Sequence, residues 1–299
     1  MSLIGNNLPK DPEIQIKKNI KRKIPLLDRD PQFYKDFPLP SWVELSVIDV
    51  CNRSCSFCPK SDDTIAPDTY QKTERVLIDK LYENLNKINY KGAFTLCGYG
   101  EPLLYNDLEY LVKSLSRLGH IEIVTNGDPL NEIKLKQLYS MGVNHLIISM
   151  YDGPEQILHF NDMVKKAKVP EEFLILRDRW YKGEEFSDYI TNRAGTVLSG
   201  NQTHQKDLDD KKCYYPAYHA QIDWNGDMYV CPHDWQRRNP VGNLMQKDFF
   251  EIWSGKILNS YRKMLFSGKR DKKPCLDCNC NGKVHGIKHF NAFKNSKKF

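Results

Sequence analysis

The chain has 299 residues, a formal net charge of +6, and a composition that is 40% hydrophobic and 27% charged. These values are those of an ordinary globular protein and exclude the collagen-like, low-complexity and disordered classes. No apolar run approaches the roughly 18 residues that span a bilayer, and residues 1–10 lack the apolar core of a signal peptide. We therefore expect a cytoplasmic protein whose nine cysteines are metal ligands or reactive thiols rather than disulfides.

Both ends of the chain are basic. Residues 1–40 are predicted to be an extended lead-in with several prolines and a short helix around 13–23. Basic runs of this kind can bind nucleic acid or anionic surfaces, but we expect both ends to be solvated and mobile. The basic residues concerned are Lys17, Lys18, Lys21, Arg22 and Lys23 near the start, and Lys283, Lys288, Lys294, Lys297 and Lys298 in the tail.

From Trp42 onward, short β-branched runs alternate with longer segments in which apolar residues keep helical spacing. The predicted strands are 42–50, 93–97, 121–125, 145–150 and 172–177. Helices are predicted between them, the last two at about 131–141 and 154–167. This alternation predicts an α/β fold with a parallel sheet built from βα units, in which ligands bind at the carboxyl ends of the strands.

The first predicted strand leads directly into three cysteines, Cys51, Cys55 and Cys58, in a C-x3-C-x2-C array. Soft thiolate ligands favour zinc, copper(I) or an iron–sulfur cluster. A [4Fe–4S] cube binds four ligands, so three cysteines leave one iron open to a ligand that is not protein. A zinc finger would need a second pair of ligands to close its tetrahedron, and the next cysteine pair lies far downstream.

The second predicted strand ends in Cys97-Gly98-Tyr99-Gly100-Glu101. The two glycines allow the backbone to pass close to a bound molecule, and a carboxylate follows at once. Alone, this pattern could be a tight turn. Cys97 is either a thiol at the site or a small buried core residue.

Together, the cysteine array and the glycine–glutamate motif resemble the radical S-adenosylmethionine (SAM) superfamily, whose signature Phe57 also matches. The resemblance implies a partial (β/α)6 TIM-like barrel with a [4Fe–4S] cluster on the three cysteines and SAM on its open iron. Gly98, Gly100 and Glu101 would then contact the amino group of SAM, with Tyr99 between the glycines as a departure from the simplest motif.

Three further strand ends resemble the parts of this family that bind SAM. Asn126 and Ser149 would reach its ribose or carboxylate, although each could equally be part of a strand-terminating turn. Arg177 or Arg179 would pair with the carboxylate of SAM or with a substrate anion. We expect only one of these arginines to face the site and favour Arg177. Arg193, in a polar loop, is a candidate catalytic residue on the substrate side.

A second set of cysteines follows a polar linker. Asn225-Gly226 predicts a β-hairpin within 220–230, and a helix is predicted over 248–266. These elements would bring four thiols together, a set that by geometry alone suits a structural zinc or a [4Fe–4S] cluster. The four cysteines are Cys213, Cys231, Cys275 and Cys278.

This C-terminal region resembles the SPASM and twitch domains of radical SAM enzymes, which hold auxiliary iron–sulfur clusters. Because only five cysteines are present, the shorter twitch form with one cluster fits better than a full SPASM domain. Cys280 is left over as a spare ligand, a free thiol or a catalytic hydrogen-atom donor. The predicted domains are the lead-in (1–40), the radical SAM partial barrel (41–200), the auxiliary [4Fe–4S] domain with its hairpin and helix (201–282) and a basic tail (283–299).

The resemblance implies that reductive cleavage of SAM gives a 5′-deoxyadenosyl radical, which abstracts hydrogen from a substrate. An auxiliary cluster held by four cysteines could accept an electron, which favours dehydrogenation of a sugar-like or cyclitol alcohol. The expected partner is a reducing protein such as flavodoxin or ferredoxin. Candidate residues facing the substrate are Tyr99, Arg193, Tyr214, Tyr215, His219 and His233.

Three alternatives stay open at the level of sequence. Peptide modification by thioether or carbon–carbon crosslinking is one, and a peptide would then replace the small-molecule substrate. Epimerisation is the second and would need a thiol donor such as Cys280 or Cys97. A zinc-ribbon protein that binds nucleic acid is the third, but it does not explain the three-cysteine loop. Neither a nucleic acid nor a membrane is an expected partner.

Overall fold

The computed structural model describes residues 12–179, 191–197, 211–296 and 299. Within them the α-helices are Pro12–Leu27 (α1), Arg75–Lys87 (α2), Leu108–Leu115 (α3), Glu132–Ser140 (α4), Glu155–Ala167 (α5), Tyr215–Tyr218 (α6), Phe249–Trp253 (α7), Lys256–Phe266 (α8) and Ile287–Asn295 (α9). The strands are Phe33–Tyr34 (β1), Phe37–Pro38 (β2), Trp42–Ser46 (β3), Ala93–Leu96 (β4), His120–Thr125 (β5), His145–Met150 (β6), Leu174–Asp178 (β7), His219–Asp223 (β8), Asp227–Tyr229 (β9) and Pro240–Asn243 (β10).

Eight of these strands form one sheet in the order β10-β9-β8-β3-β4-β5-β6-β7. From β8 to β7 all neighbours are parallel, whereas β9 pairs antiparallel with both β8 and β10. The structure therefore confirms an α/β fold with a parallel core. The sixth parallel strand, β8, is also the first strand of the hairpin that turns at Asn225-Gly226. The sheet thus continues past the predicted domain boundary at residue 200, and the domain bounds stay a prediction.

The helices between the strands cover one face of the sheet with apolar side chains. In α2, Leu77, Ile78, Leu81 and Leu85 recur at helical spacing and are buried, and each contributes about 1.5–3 kcal/mol relative to exposure. Side chains alternate across a strand, so the other face points into the barrel. On that face, β3 carries Glu44 and β5 carries Glu122. Charged side chains inside a barrel need partners of opposite charge.

Helix α1 supplies part of this charge compensation and corrects the expectation of an extended, solvated lead-in. It is a helix of 16 residues, longer than the short helix predicted around 13–23. Arg22 forms an ion pair with both oxygens of Glu122, which is fully buried on β5. The ammonium of Lys23 lies 4.8 Å from the centroid of the Trp42 ring. The end of the basic run therefore packs against the barrel.

The expectation of a solvated C-terminal tail is also wrong for the described residues. Phe290 and Phe293 on α9 are buried, and His285 Nδ1 lies 2.7 Å from Asp28 Oδ2 at the end of α1. The apolar residues of α9 therefore pack this helix against the core although it also carries lysines. Within the part of the chain that the structure describes, none of the helices combines the length and apolarity that crossing a bilayer requires.

The single helix predicted over 248–266 is two helices, α7 and α8. They are separated at Ser254 and Gly255, where Gly255 takes an extended backbone as the N-cap of α8. Asp248 and Glu251 form a capping box that starts α7. The break turns the chain before it reaches the last cysteines.

Candidate active site

One cavity of about 720 Å³ lies at the carboxyl ends of the parallel strands. Its walls come from the cysteine loop, the strand ends, α1 and the C-terminal region. The structure brings together the residues predicted for the SAM and substrate side of the site, with the exception of Tyr214. The predicted residues that line the cavity are Cys51, Cys55, Phe57, Cys58, Gly98, Tyr99, Gly100, Glu101, Asn126, Ser149, Arg177, Arg193 and Cys280.

The three thiols of the cysteine loop face this cavity. Cys51, Cys55 and Cys58 are free and half-buried. Burial raises the pKa of all three, and the neighbouring thiols contribute to raising that of Cys55 to about 11. They would therefore ionise together only with a metal to stabilise the thiolates. Three converging soft ligands beside an open cavity suit a cluster that keeps one free coordination position.

Arg53, between the first two cysteines, anchors the loop and was not identified from the sequence. Its Nε and NH2 donate to Asp128 at 2.6 Å each, and its NH1 and NH2 donate to Asp152 at 2.8 and 2.6 Å. Asn52 also donates to Asp128, at 2.8 Å. The two acids follow the carboxyl ends of β5 and β6, which is the sequence signal that could have revealed the pairing. The loop is therefore tied to two strand ends by bidentate pairs.

Glu101 is buried and held by three protein donors. Its carboxylate accepts from Leu103 N at 3.0 Å, Thr125 Oγ1 at 2.6 Å and Asn126 N at 2.8 Å. Burial raises its pKa, and these hydrogen bonds oppose the rise. A carboxylate has about four acceptor positions, so one remains for a ligand donor such as an amino group.

The glycines beside Glu101 serve the packing of the loop as well as access to a ligand. A Cβ on Gly98, whose φ is +123°, would collide with Ser46, and one on Gly100 would collide with the carbonyls of Ile48 and Val50. The motif thus packs directly on the segment that leads from β3 into the cysteine loop. Larger residues would push the two loops apart.

The ends of β6 and β7 present a hydroxyl and two guanidinium groups to the cavity. Arg177 NH2 donates to Ser149 Oγ at 2.9 Å, while Arg177 Nε is buried without an acceptor. The expectation that only one arginine faces the site is wrong, because both Arg177 and Arg179 line the cavity. Residues two positions apart on a strand share a face. Asn126, at the end of β5, donates to Asn52 at 2.8 Å.

Aromatic rings border the cavity on two sides. Phe57 stacks on Tyr151 with centroids 5.7 Å apart. Tyr99 stacks on Trp235 at 5.1 Å, and the guanidinium of Arg193 lies 5.5 Å from the centroid of the Trp235 ring. Tyr99 therefore joins the glycine–glutamate loop to the C-terminal region rather than only separating two glycines.

A carboxylate–imidazole pair inside the barrel also reaches the cavity. His219 Nε2 lies 3.4 Å from Glu44 Oε2, and both residues line the cavity. Burial alone would raise the pKa of Glu44, but His219 outweighs it and the pKa falls to about 2. Cys97 lines the same wall, and burial raises the pKa of its thiol well above the usual value. The sequence predicted that His219 faces the substrate, but it did not indicate a role for Glu44.

The second set of thiols lines a separate, small apolar pocket. Its five cysteines are Cys213, Cys231, Cys275, Cys278 and Cys280. Burial raises the pKa of every one of these thiols. Arg270 NH1 and NH2 donate to the carbonyls of Cys278 at 3.2 Å and Cys280 at 3.0 Å. A Cβ on Gly282 would collide with the sulfur of Cys213, so the backbone closes directly over the thiols.

Three side chains line both the thiol pocket and the main cavity, namely Tyr215, His233 and Cys280. They are the wall between the two sites. Burial lowers the pKa of His233 to about 3, so its imidazole is neutral. Tyr214 instead stacks on Phe290 at 4.5 Å and belongs to the core, which separates it from the other candidates for substrate contact.

The donor sets fit the cofactors that the resemblance implies. Three thiols at an open cavity suit a cluster with one free iron, and a closed pocket of thiols suits a fully ligated one. The buried Nε atoms of Arg177 and Arg193 have no acceptor among the described residues, which leaves donors for a carboxylate such as that of SAM.

Comparison with known proteins agrees with these ligand sets. The family model of the radical SAM superfamily matches residues 45–176, and that of SPASM, an iron–sulfur cluster-binding domain, matches residues 213–279. An S-adenosyl-L-methionine-dependent 2-deoxy-scyllo-inosamine dehydrogenase of Niallia circulans is 27% identical over 245 residues, which cover 80% of this chain and 92% of that protein. A GTP 3′,8-cyclase of Rhizobium etli (strain CIAT 652) is 26% identical, covering 67% of this chain and 63% of the cyclase.

The fold agrees with a solved structure as well. The crystal structure of BtrN in complex with AdoMet and 2-DOIA aligns with a TM-score of 0.68 and 24% identity, over 84% of this chain and 98% of that chain. The matched regions contain Cys51, Cys55 and Cys58 in the first and the four predicted auxiliary ligands in the second. The zinc-ribbon alternative accounts for neither match. Residues 45–176 therefore form a radical SAM domain and residues 213–279 a SPASM-type domain, and the cofactors of these domains are SAM and two [4Fe–4S] clusters.

Proposed function

We propose that this protein is a radical SAM dehydrogenase that oxidises a secondary alcohol of a sugar-like small molecule. The observation that carries the proposal is the wall of Tyr215, His233 and Cys280, which separates the main cavity from the auxiliary thiol pocket by one layer of side chains. An electron acceptor beside the substrate is what a net two-electron oxidation requires. The Niallia circulans relative, a dehydrogenase of an inosamine by its name, supports the same class of reaction.

The cavity also favours a small substrate. A volume of about 720 Å³ lies within the range of sites for single small molecules, and it has to hold both SAM and the substrate. Helix α1 and the segment from Cys280 to His285 line it opposite the strand ends. These boundaries support a molecule of sugar size over a long peptide.

Each part of the chain has a role in the proposed reaction. Cys51, Cys55 and Cys58 hold the SAM-binding cluster. When bound, SAM with its cluster supplies a radical that takes a hydrogen atom from a carbon, and the second cluster accepts one electron. Glu101 and Arg177 orient the amino and carboxylate groups of SAM, in keeping with their remaining hydrogen-bonding capacity.

His219 is best placed to receive the hydroxyl proton of the substrate. It lines the cavity, and its Nε2 lies 3.4 Å from a carboxylate oxygen of Glu44. Loss of one hydrogen atom from carbon, one proton to His219 and one electron to the auxiliary site converts the alcohol to a ketone. Arg193, beside Trp235, is placed on the substrate side of the cavity.

The reaction needs an electron donor for the first cluster. We infer a small reducing protein, flavodoxin or ferredoxin, and a cytoplasmic location, because nine free cysteines suit a reducing compartment. The formal net charge of +6 suits an acidic partner of this kind.

Epimerisation is the second candidate, since the thiol of Cys280 lines the main cavity and could return a hydrogen atom. The two reactions give different products. Anaerobically reconstituted protein would be incubated with SAM, reductant and a panel of sugar-like alcohols, and ketone and 5′-deoxyadenosine would be quantified. Dehydrogenation predicts the two in equal amounts. Epimerised alcohol without ketone, abolished by Cys280→Ala, would support the alternative.

A further inference from the structure

Among the residues that the structure describes, cationic side chains outnumber carboxylates in the lining of the main cavity. Arg53 is neutralised by Asp128 and Asp152, but five other cations line the cavity against two carboxylates among the described residues. Both carboxylates have partners already, since Glu101 accepts three hydrogen bonds and Glu44 faces His219. The five cations are Lys17, Lys23, Arg177, Arg179 and Arg193.

Three of these cations form no ion pair with a carboxylate in the part of the chain that the structure describes. No carboxylate there lies within 4.0 Å of Lys23, Arg177 or Arg193, and the Nε atoms of both arginines are buried without an acceptor. The ammonium of Lys23 lies over the Trp42 ring. Burial lowers the pKa values of Lys23 and Arg177. All three side chains are half-buried on the cavity wall, so an anion bound in the cavity can pair with them.

SAM accounts for only part of this excess of cationic side chains. Its carboxylate matches one guanidinium, which we assign to Arg177, while its sulfonium is offset by the negative charge of a [4Fe–4S] cluster on the three thiolates. Lys23 on α1 and Arg193 on the loop 191–197 then remain. An inosamine, the substrate class in the name of the Niallia circulans relative, carries an amino group that would add further positive charge to the cavity.

We propose that the substrate of this protein is a sugar-like alcohol that also carries a phosphate or carboxylate group, an inference that rests on the proposed function for its alcohol. Arg193 contacts the anionic group, because its guanidinium suits bidentate pairing with either oxyanion. Lys23 adds attraction from the wall formed by α1. The substrate would thus differ in charge from an aminocyclitol.

Binding measurements test the charge of the substrate without turnover. The reconstituted protein, loaded with SAM and kept without reductant, would be titrated with myo-inositol 1-phosphate, glucuronate, inorganic phosphate, myo-inositol and 2-deoxy-scyllo-inosamine. We expect the anionic sugars and cyclitols to bind about tenfold more tightly than the neutral one. Arg193→Met should lower their affinity about tenfold, Lys23→Met by less, and added salt should weaken binding.

Matched controls separate this effect from misfolding. Arg193→Lys should retain part of the affinity, while Arg117→Met and Lys136→Met, at exposed positions away from the cavity, should leave it unchanged. Unchanged iron content in each variant would show that the clusters are intact. Equal affinity for neutral and anionic probes, tighter binding of the amine, or no binding of any anionic probe would overturn the proposal.

Adding reductant then distinguishes this inference from the proposed function. If an anionic compound binds through Arg193 but gives no ketone, the charge inference stands and dehydrogenation fails. If the inosamine is oxidised while the anionic compounds neither bind nor react, dehydrogenation stands and the charge inference fails.

Discussion

The two thiol sites of this protein are constructed by different means. The loop 51–58 holds half-buried thiols on the rim of a large cavity, and the ion pairs of Arg53 with Asp128 and Asp152 fix it to the strand ends. The auxiliary thiols lie in a small apolar pocket closed by backbone. One site is open to a ligand and held by charge, whereas the other is closed and held by burial. This difference fits the proposed function, in which the first site carries the SAM chemistry and the second accepts an electron.

Removing auxiliary ligands should produce the largest effect. A Cys213→Ala/Cys231→Ala variant is expected to lose ketone formation while it still cleaves SAM, because only the open site meets SAM. Chromatographic measurement of ketone and 5′-deoxyadenosine checks this. Cys280→Ser is the control and should retain both products, since the SPASM match ends at residue 279. If the double variant forms ketone at the normal rate, the auxiliary cluster is not the electron acceptor.

His219→Gln should separate proton transfer from SAM cleavage. Loss of a general base typically costs about 10²- to 10⁴-fold in rate, so ketone formation should fall by at least about 10²-fold while SAM cleavage continues. His159→Gln, at an exposed position on α5, is the control. If ketone formation by His219→Gln stays at the level of this control, another group takes the proton.

Arg53→Lys tests whether ion pairs hold the loop 51–58 in place, whereas burial holds the auxiliary thiols. Lysine cannot make two bidentate pairs, and loss of a group that orients metal ligands typically costs about 10- to 100-fold in metal affinity or activity. Iron content and SAM cleavage should fall, with the auxiliary cluster retained. Arg75→Lys breaks a more exposed pair with Asp107 and should have little effect. Equal loss of both clusters would contradict the distinction.

The smallest expected effect concerns the helix α9. Burial lowers the pKa of His289 to about 4, below the usual value of about 6.5. The unfolded state therefore binds more protons between these values, so stability is lost as the pH falls through this range, by about 2 kcal/mol at about pH 5. His289→Phe should reduce this loss in denaturant titrations at several pH values. An unchanged pH dependence would mean that His289 is not the titrating group.

Local sequence signals predicted much of this molecule. The C-x3-C-x2-C array, the glycine–glutamate motif and Asn225-Gly226 each specify short-range geometry, and the structure places the expected side chains around one cavity. The prediction that only one of Arg177 and Arg179 faces the site was wrong. Side chains two positions apart on a strand lie on the same face, so the sequence alone could have shown that both face the cavity. The apolar spacing over 248–266 predicted one helix, but the structure divides it at Gly255 into α7 and α8.

The remaining features depend on contacts distant in sequence. The pairing of Arg22 with Glu122, of Glu44 with His219 and of Arg53 with two strand ends joins residues far apart in the chain. A basic run can be a solvated end or a partner for buried acids, and only the fold decides between them. The same holds for the wall between the two thiol sites.

Iron and sulfide analysis of anaerobically reconstituted protein tests the central claim most directly. The wild type would be compared with a variant in which Cys51, Cys55 and Cys58 are all alanine. Two clusters of different construction predict about eight irons in the wild type and about four in the variant, with SAM binding lost in the variant alone. Four irons in the wild type, none in the variant and one zinc in both would contradict the account.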